Sequence, residues 1–138
     1  MKSLMALTFV LLTATSNASA QNVHVFGVGI EVREDCEVIV NHKDGRTESL
    51  KTSFPEAGRC WLLPNSETDI PRIEFIQGEY VLLVESRLTA TEACRARLAA
   101  IIVSRDGQLR LSGPKQNTYA CGSAERKDYE ILWHHSRR

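Results

Sequence analysis

The chain has 138 residues, of which 43% are hydrophobic and 25% charged, and its 17 basic side chains balance 17 acidic ones. This length and composition are typical of an ordinary globular protein and exclude collagen, a coiled coil and wholesale disorder. The zero net charge argues against a nucleic-acid partner, because a general nucleic-acid binder needs an excess of lysine and arginine.

The first twenty residues have the pattern of a secretory signal peptide. Lys2 gives a positive start, residues 4–14 are an apolar stretch, and Ala18-Ser19-Ala20 place small residues before a cleavage point. The apolar stretch is too short to cross a bilayer, which takes roughly 20 residues. We therefore expect cleavage before Gln21, a secreted or periplasmic protein with no membrane span, and a single β-rich domain over 21–138. The loss of Lys2 brings the charge close to −1.

Four cysteines follow in the mature chain: Cys36, Cys60, Cys94 and Cys121. No two of them form a CxxC pair, so a metal site is disfavoured, and in an oxidising compartment an even number predicts disulfides. Three pairings are open. We favour the sequential one, Cys36–Cys60 and Cys94–Cys121, because each bridge closes a short loop around a hairpin, which stabilises a domain by about 3 kcal/mol.

Strand patterns dominate the first half of the mature chain. Residues 23–32 are rich in β-branched and aromatic side chains and predict one strand, in which Gly27 and Gly29 indicate a bulge or a close backbone approach. Residues 36–41 and 47–53 flank Asp44-Gly45, which predicts a hairpin. The proline-containing segment 54–71 reads as a loop with a short strand around 60–63.

Two more hairpins are predicted in the second half. Residues 72–76 and 79–87 enclose Gln77-Gly78, and a strand over 95–104 pairs with 108–112 across Asp106-Gly107. For the region 91–103 a helix capped by Thr91 is the alternative, but Ile101, Ile102 and Val103 favour the strand.

The C-terminal region allows two interpretations. Tyr129, Ile131 and Trp133 alternate as they would in a strand over 128–134, yet Tyr129 and Trp133 also have the spacing of a short helix capped by Ser123. About eight short strands joined by tight turns predict a mainly β fold. We expect a small antiparallel barrel or sandwich with two disulfides, together with one short helix under the second interpretation.

Motifs for catalysis and for cofactor binding are missing from the sequence. Gly27-Val28-Gly29 lacks the third glycine of a dinucleotide loop, and Gly122-Ser123 lacks the second glycine of a nucleophile elbow. The adjacent His134 and His135 would point apart in an extended chain. We expect no metal, no cofactor and no enzymatic activity, with a small secreted hydrolase of dispersed active site as the alternative.

The sequence thus favours a protein that binds another protein. Tryptophan and arginine are common interface anchors, and the acidic run that contains Glu34 and Asp35 favours a basic partner. An enzyme inhibitor or a toxin-neutralising, immunity-type protein fits this expectation, and an accessory subunit of an envelope or secretion assembly is the other alternative. For each tryptophan, core packing is the competing interpretation. The candidate binding residues are Trp61, Arg59, Glu34, Asp35 and Trp133.

Overall fold

The computed structural model describes residues 21–55, 58–64, 70–88, 95–118 and 120–137. Within these ranges the chain forms ten strands and one helix, and all strand pairs of its two sheets are antiparallel. The expected mainly β, antiparallel fold is therefore confirmed. The predicted signal segment 1–20 lies outside the described residues, so its cleavage stays a prediction.

The first sheet is a four-stranded meander whose strands pair in chain order: β1 (Gln21–Val25), β2 (Val28–Val32), β3 (Glu37–Asn41) and β4 (Thr47–Lys51). The turn between β3 and β4 contains the predicted Asp44-Gly45 pair, and Gly45 adopts a φ of +86° that a side chain would strain.

The second sheet contains six strands: β5 (Arg59–Leu62), β6 (Glu74–Ile76), β7 (Glu79–Leu88), β8 (Arg95–Val103), β9 (Leu109–Leu111) and β10 (Lys115–Gln116). It is built around the long β7–β8 pair. Strands β5 and β6 pair with the other edge of β7, and β9 and β10 pair with the other edge of β8. Both hairpins predicted here form, and Gly78 and Gly107 lie in their turns with φ of 81° and 79°.

The two sheets and the helix stack in three layers. Alternate residues of β7 face opposite sides: Leu82 and Val84 pack against the first sheet, and Val81 and Leu83 pack under the helix. The second sheet is therefore buried on both faces, which explains the unbroken apolar run at the end of β8. The described strands form two open sheets facing each other, a sandwich, and do not close into a barrel.

One disulfide joins the sheets. Cys36, in the turn after β2, is bonded to Cys60 of β5, with 4.9 Å between their Cα atoms, and both side chains belong to the core between the sheets. This confirms the first predicted pair. Cys94 lies outside the described residues, so the Cys94–Cys121 pairing stays a prediction.

The segment 23–32 is not the single strand that its composition suggests. The chain reverses at Phe26 and Gly27, whose φ angles of 50° and 72° place both residues in the left-handed region, and β1 pairs with β2 as a hairpin. The expected close approach is found at Gly29, where an added Cβ would lie 3.1 Å from the His24 ring.

The strand expected over 128–134 is wrong, and the helical alternative is right. Helix α1 (Arg126–His135) begins after the N-cap Glu125, not Ser123, with a capping box that it forms with Asp128. Tyr129, Leu132 and Trp133 then lie on one buried face against the second sheet. The helix is favoured because its three-to-four spacing buries all three side chains together, whereas a strand would turn Leu132 away from the other two.

Candidate functional site

The most distinctive surface of the described chain lies on β5. Cys60 and Leu62 point into the core between the sheets, so the alternate residues Arg59 and Trp61 point to the opposite face of the second sheet. In the register with β7, Arg59 lies opposite Arg87 and Trp61 lies opposite Glu85.

Arg87 holds the indole of Trp61 in place. The guanidinium carbon lies 4.2 Å from the ring centroid of Trp61, a close cation–π contact. Trp61 is only partly buried in this arrangement.

Arg87 is in turn held by a fully buried carboxylate. Glu85 has no exposed surface, and its Oε1 accepts a hydrogen bond of 2.6 Å from Arg87 Nε. The backbone N–H of Gly122 donates to Oε2 at 2.8 Å, and the Asn117 amide donates to the same oxygen at 3.3 Å. A buried charge is tolerated when it is paired and hydrogen-bonded in this way, and the paired geometry becomes rigid.

Two glycines allow the chain to approach Arg87 closely. A Cβ at Gly58 would lie 2.0 Å from the Arg87 carbonyl oxygen, and a Cβ at Gly122, where φ is +83°, would lie 3.2 Å from Arg87 Nη2. Both positions therefore require glycine for space or for backbone conformation.

The acidic turn lies directly beside β5. The Cys60 N–H donates to the Glu34 carbonyl at 3.0 Å, and Arg59 Nη2 lies 3.3 Å from both carboxylate oxygens of Glu34. The side chains of Arg59 and Glu34 are 62% and 47% exposed, so this ion pair is a weak, solvated one. Asp35 accepts the Glu37 N–H at 3.1 Å and so shapes the turn.

Four of the five predicted binding residues are therefore brought together by tertiary structure. We call Glu34, Asp35, Arg59 and Trp61 the Trp61 surface. The Cys36–Cys60 disulfide joins the turn to the strand beneath it.

Trp133 does not belong to this surface. It lies on the buried face of helix α1 and is 2% exposed, and its Nε1–H donates to Glu79 Oε1 at 3.0 Å. Arg110 also binds Glu79 through two bonds of 2.7 and 2.8 Å, and these bonds hold the pKa of Glu79 below its usual value. The core interpretation therefore applies to Trp133, which contributes almost no exposed surface for binding a partner.

Two other carboxylates with a lowered pKa, Asp44 and Asp106, stabilise the turns in which they lie. They line a pocket of about 240 Å³ between the β3–β4 turn and the β8–β9 turn. Hydrogen bonds from Arg46 lower the pKa of Asp44, and a hydrogen bond from Ser104 lowers that of Asp106. Both groups are carboxylates at neutral pH and stabilise tight turns, which is a poor state for a general acid.

Sequence reasoning did not identify Glu85, Arg87, Asn117 and Gly122 as parts of this site. A signal was present, because Glu85 and Arg87 follow the apolar residues 81–84 at alternate positions and so lie on one face. Asn117 and Gly122 carried no comparable signal, since only the path of the chain after β10 brings them to Glu85.

Comparison with protein-family models, characterised proteins and solved structures finds no match to this chain. In the described ranges no group of three or more His, Cys, Asp or Glu side chains could hold a metal ion. The described helix falls short of the length and apolar character of a membrane span.

Proposed function

We propose that the protein binds another protein through the Trp61 surface, as an exported inhibitor or toxin-neutralising protein does. The observation that carries the proposal is the rigid presentation of a partly exposed tryptophan: Arg87 stacks on the ring, and the buried Glu85 fixes Arg87. Binding to a preordered aromatic side chain costs little conformational entropy, and tryptophan and arginine are the residues that most often dominate interface energies.

The chemistry of the Trp61 surface indicates which kind of partner it would bind. Trp61 offers an apolar anchor, and the carboxylates of Glu34 and Asp35 beside it favour a partner that carries basic side chains around an apolar contact. Arg59 is already paired with Glu34, so it adds orientation to the interface more than net attraction.

The disulfide supports the compartment in which this binding takes place. The Cys36–Cys60 bond is compatible with an extracellular or periplasmic protein, where such bonds form and persist. Export through cleavage before Gln21 is part of the proposal.

The test is capture of a partner by the immobilised full-length gene product from periplasmic and culture extracts, followed by affinity measurement with the purified partner. We expect Trp61→Ala to weaken binding by at least about thirty-fold, as for an interface hot spot. Ile131→Ala removes a 40% exposed apolar side chain of helix α1 that does not belong to the Trp61 surface, and it serves as the matched control that binds normally.

Arg59→Ala is a second variant whose exposed side chain is not needed for folding. Equal affinity of wild type, Trp61→Ala and Arg59→Ala would show that this surface is not the interface. If no stoichiometric partner is captured and the protein turns over a substrate in a hydrolase panel, the binding proposal itself fails.

One observation favours a second candidate, an accessory subunit that accepts a strand from a neighbour. β1 is the edge strand of the first sheet, and Val23 and Val25 alternate on its inner face while Asn22 and His24 are exposed. An edge of this kind can be extended by strand addition. A partner whose binding is unaffected by Trp61→Ala but lost on an Asn22→Pro change, which removes an N–H that faces away from β2, would favour this role.

A further inference from the structure

Partly buried cations are paired with carboxylates almost throughout the described chain. Four of them lie within salt-bridge distance of an acidic side chain: Arg72 with Glu74, Arg87 with Glu85, Arg110 with Glu79 and Lys115 with Asp128. Arg97 of β8 is also partly buried, yet it forms no ion pair in the described ranges. It is the exception in this group.

The surroundings of Arg97 do not compensate its charge. In the register of the sheet it lies between Ser86 of β7 and Gln116 of β10. Arg97 Nη1 and Ser86 Oγ are both buried, and neither has a hydrogen-bond partner. An unpaired, partly desolvated guanidinium is costly, and an anion bound beside Arg97 would relieve that cost.

A pocket opens at this position. Its volume is about 320 Å³, and its described lining consists of Leu88, Arg95, Ala96, Arg97 and Gln116. Arg95 lies two residues before Arg97, so the two side chains leave the same face of β8 about 7 Å apart along the strand. Arg95 is exposed and, in the described chain, is likewise without an ion pair. No carboxylate lies among these lining residues.

We propose that this pocket binds an oxyanion group, a carboxylate or a phosphate, between Arg95 and Arg97. The planar guanidinium donates two parallel N–H groups to such an anion, and partial burial strengthens the interaction relative to water. Gln116 offers an amide N–H to a third oxygen from the neighbouring strand. The inference does not rest on the Trp61 surface, because it concerns the opposite face of the second sheet at the start of β8.

The experiment is an NMR titration of the ¹⁵N-labelled protein, expressed from the full-length chain, that follows the arginine Nε–H signals and the backbone amides of β8 and β10. Sodium phosphate and sodium citrate are added in separate arms, with sodium chloride at matched ionic strength as the baseline. We expect saturable shifts at Arg97 and Gln116 in at least one arm, and the arm that saturates at lower concentration identifies the preferred anion.

Arg97→Gln should weaken this binding by at least about tenfold, as loss of a charge-assisted bidentate contact does. Arg95→Gln changes an exposed side chain, keeps the fold and should weaken binding by a few-fold. Arg46→Gln, an exposed arginine paired with Asp44 far from the pocket, is the control that binds as the wild type does. Shifts that do not saturate in either arm, or that persist unchanged in both pocket variants, overturn the proposal.

Discussion

Replacement of Glu85 by glutamine tests whether the buried carboxylate organises the Trp61 surface. The change keeps the size of the side chain but removes the charge that faces Arg87, the Gly122 N–H and the Asn117 amide. A glutamine has one acceptor oxygen and one NH2 group, and in either orientation the NH2 group faces a donor. At least one of the short hydrogen bonds is therefore lost and one donor is left unpaired.

The structure sets the size of the effect. Loss of a hydrogen bond to a charged group costs about 1.5–3 kcal/mol, and an unpaired buried donor adds about 1–3 kcal/mol. The Arg87 side chain is 35% exposed, so water recovers part of this cost. We expect Glu85→Gln to lower the free energy of unfolding by about 2–4 kcal/mol, a large share of the roughly 5–15 kcal/mol of a typical domain.

Urea unfolding at neutral pH measures this loss, with Glu130→Gln as the matched control. Glu130 pairs with Arg126 on the exposed side of helix α1, where such a pair contributes about 0.5 kcal/mol or less. Arg87→Met should lower the free energy of unfolding less in the Glu85→Gln background than in the wild type, because in that background it removes a cation that has already lost its carboxylate partner. If Glu85→Gln is as stable as Glu130→Gln, the carboxylate does not hold the site together and the reasoning is refuted.

Two further predictions concern local geometry and pH. Gly58→Ala should destabilise the protein by about 1–3 kcal/mol in the same urea assay, because its Cβ would meet the Arg87 carbonyl. The control Gly113→Ala places a Cβ with nothing within 4 Å and should stay within about 0.5 kcal/mol of wild type. Equal stability of the two variants would contradict the close approach at Gly58. As the pH falls, Glu79 is protonated in the unfolded chain near its ordinary pKa of 4.5 and in the folded chain only at lower pH. The contribution of Glu79 to folding stability is therefore fully present above that pKa and is lost as the pH falls through the lowered pKa. Glu79→Gln should therefore flatten the decline of thermal stability below about pH 5, and an unchanged acid profile would count against the Arg110 contact as its cause.

Local sequence rules predicted the turns and most strands of this fold because those features depend on neighbouring residues. The Asp44-Gly45, Gln77-Gly78 and Asp106-Gly107 pairs each form the expected turn, with glycine at a positive φ. The same rules failed at Phe26, where a non-glycine residue adopts φ of 50°. Its ring packs 4.5 Å from that of Tyr80, on the other sheet, a contact that no local pattern shows.

The candidate site divides in the same way. The sequence singled out Arg59, Trp61 and the acidic turn as separate features, and the register of β5 with β7 joined them to Glu85 and Arg87. The sequence could not distinguish the partly exposed tryptophan from the buried one. Trp133 is in the core because α1 is a helix, and Trp61 reaches the surface because β5 alternates at the edge of its sheet.

The four cysteines and the alternating strand patterns were sufficient to predict a mainly β protein with at least one disulfide. Composition and short-range spacing decide these properties, and both can be read directly from the sequence. Only the tertiary structure decided which charges are paired. It placed Glu85 beside Arg87 and Gly122 and left Arg97 without a carboxylate in the described chain. Pairing of charges depends on contacts between residues far apart in sequence, and burial sets their strength, so no local pattern could specify them.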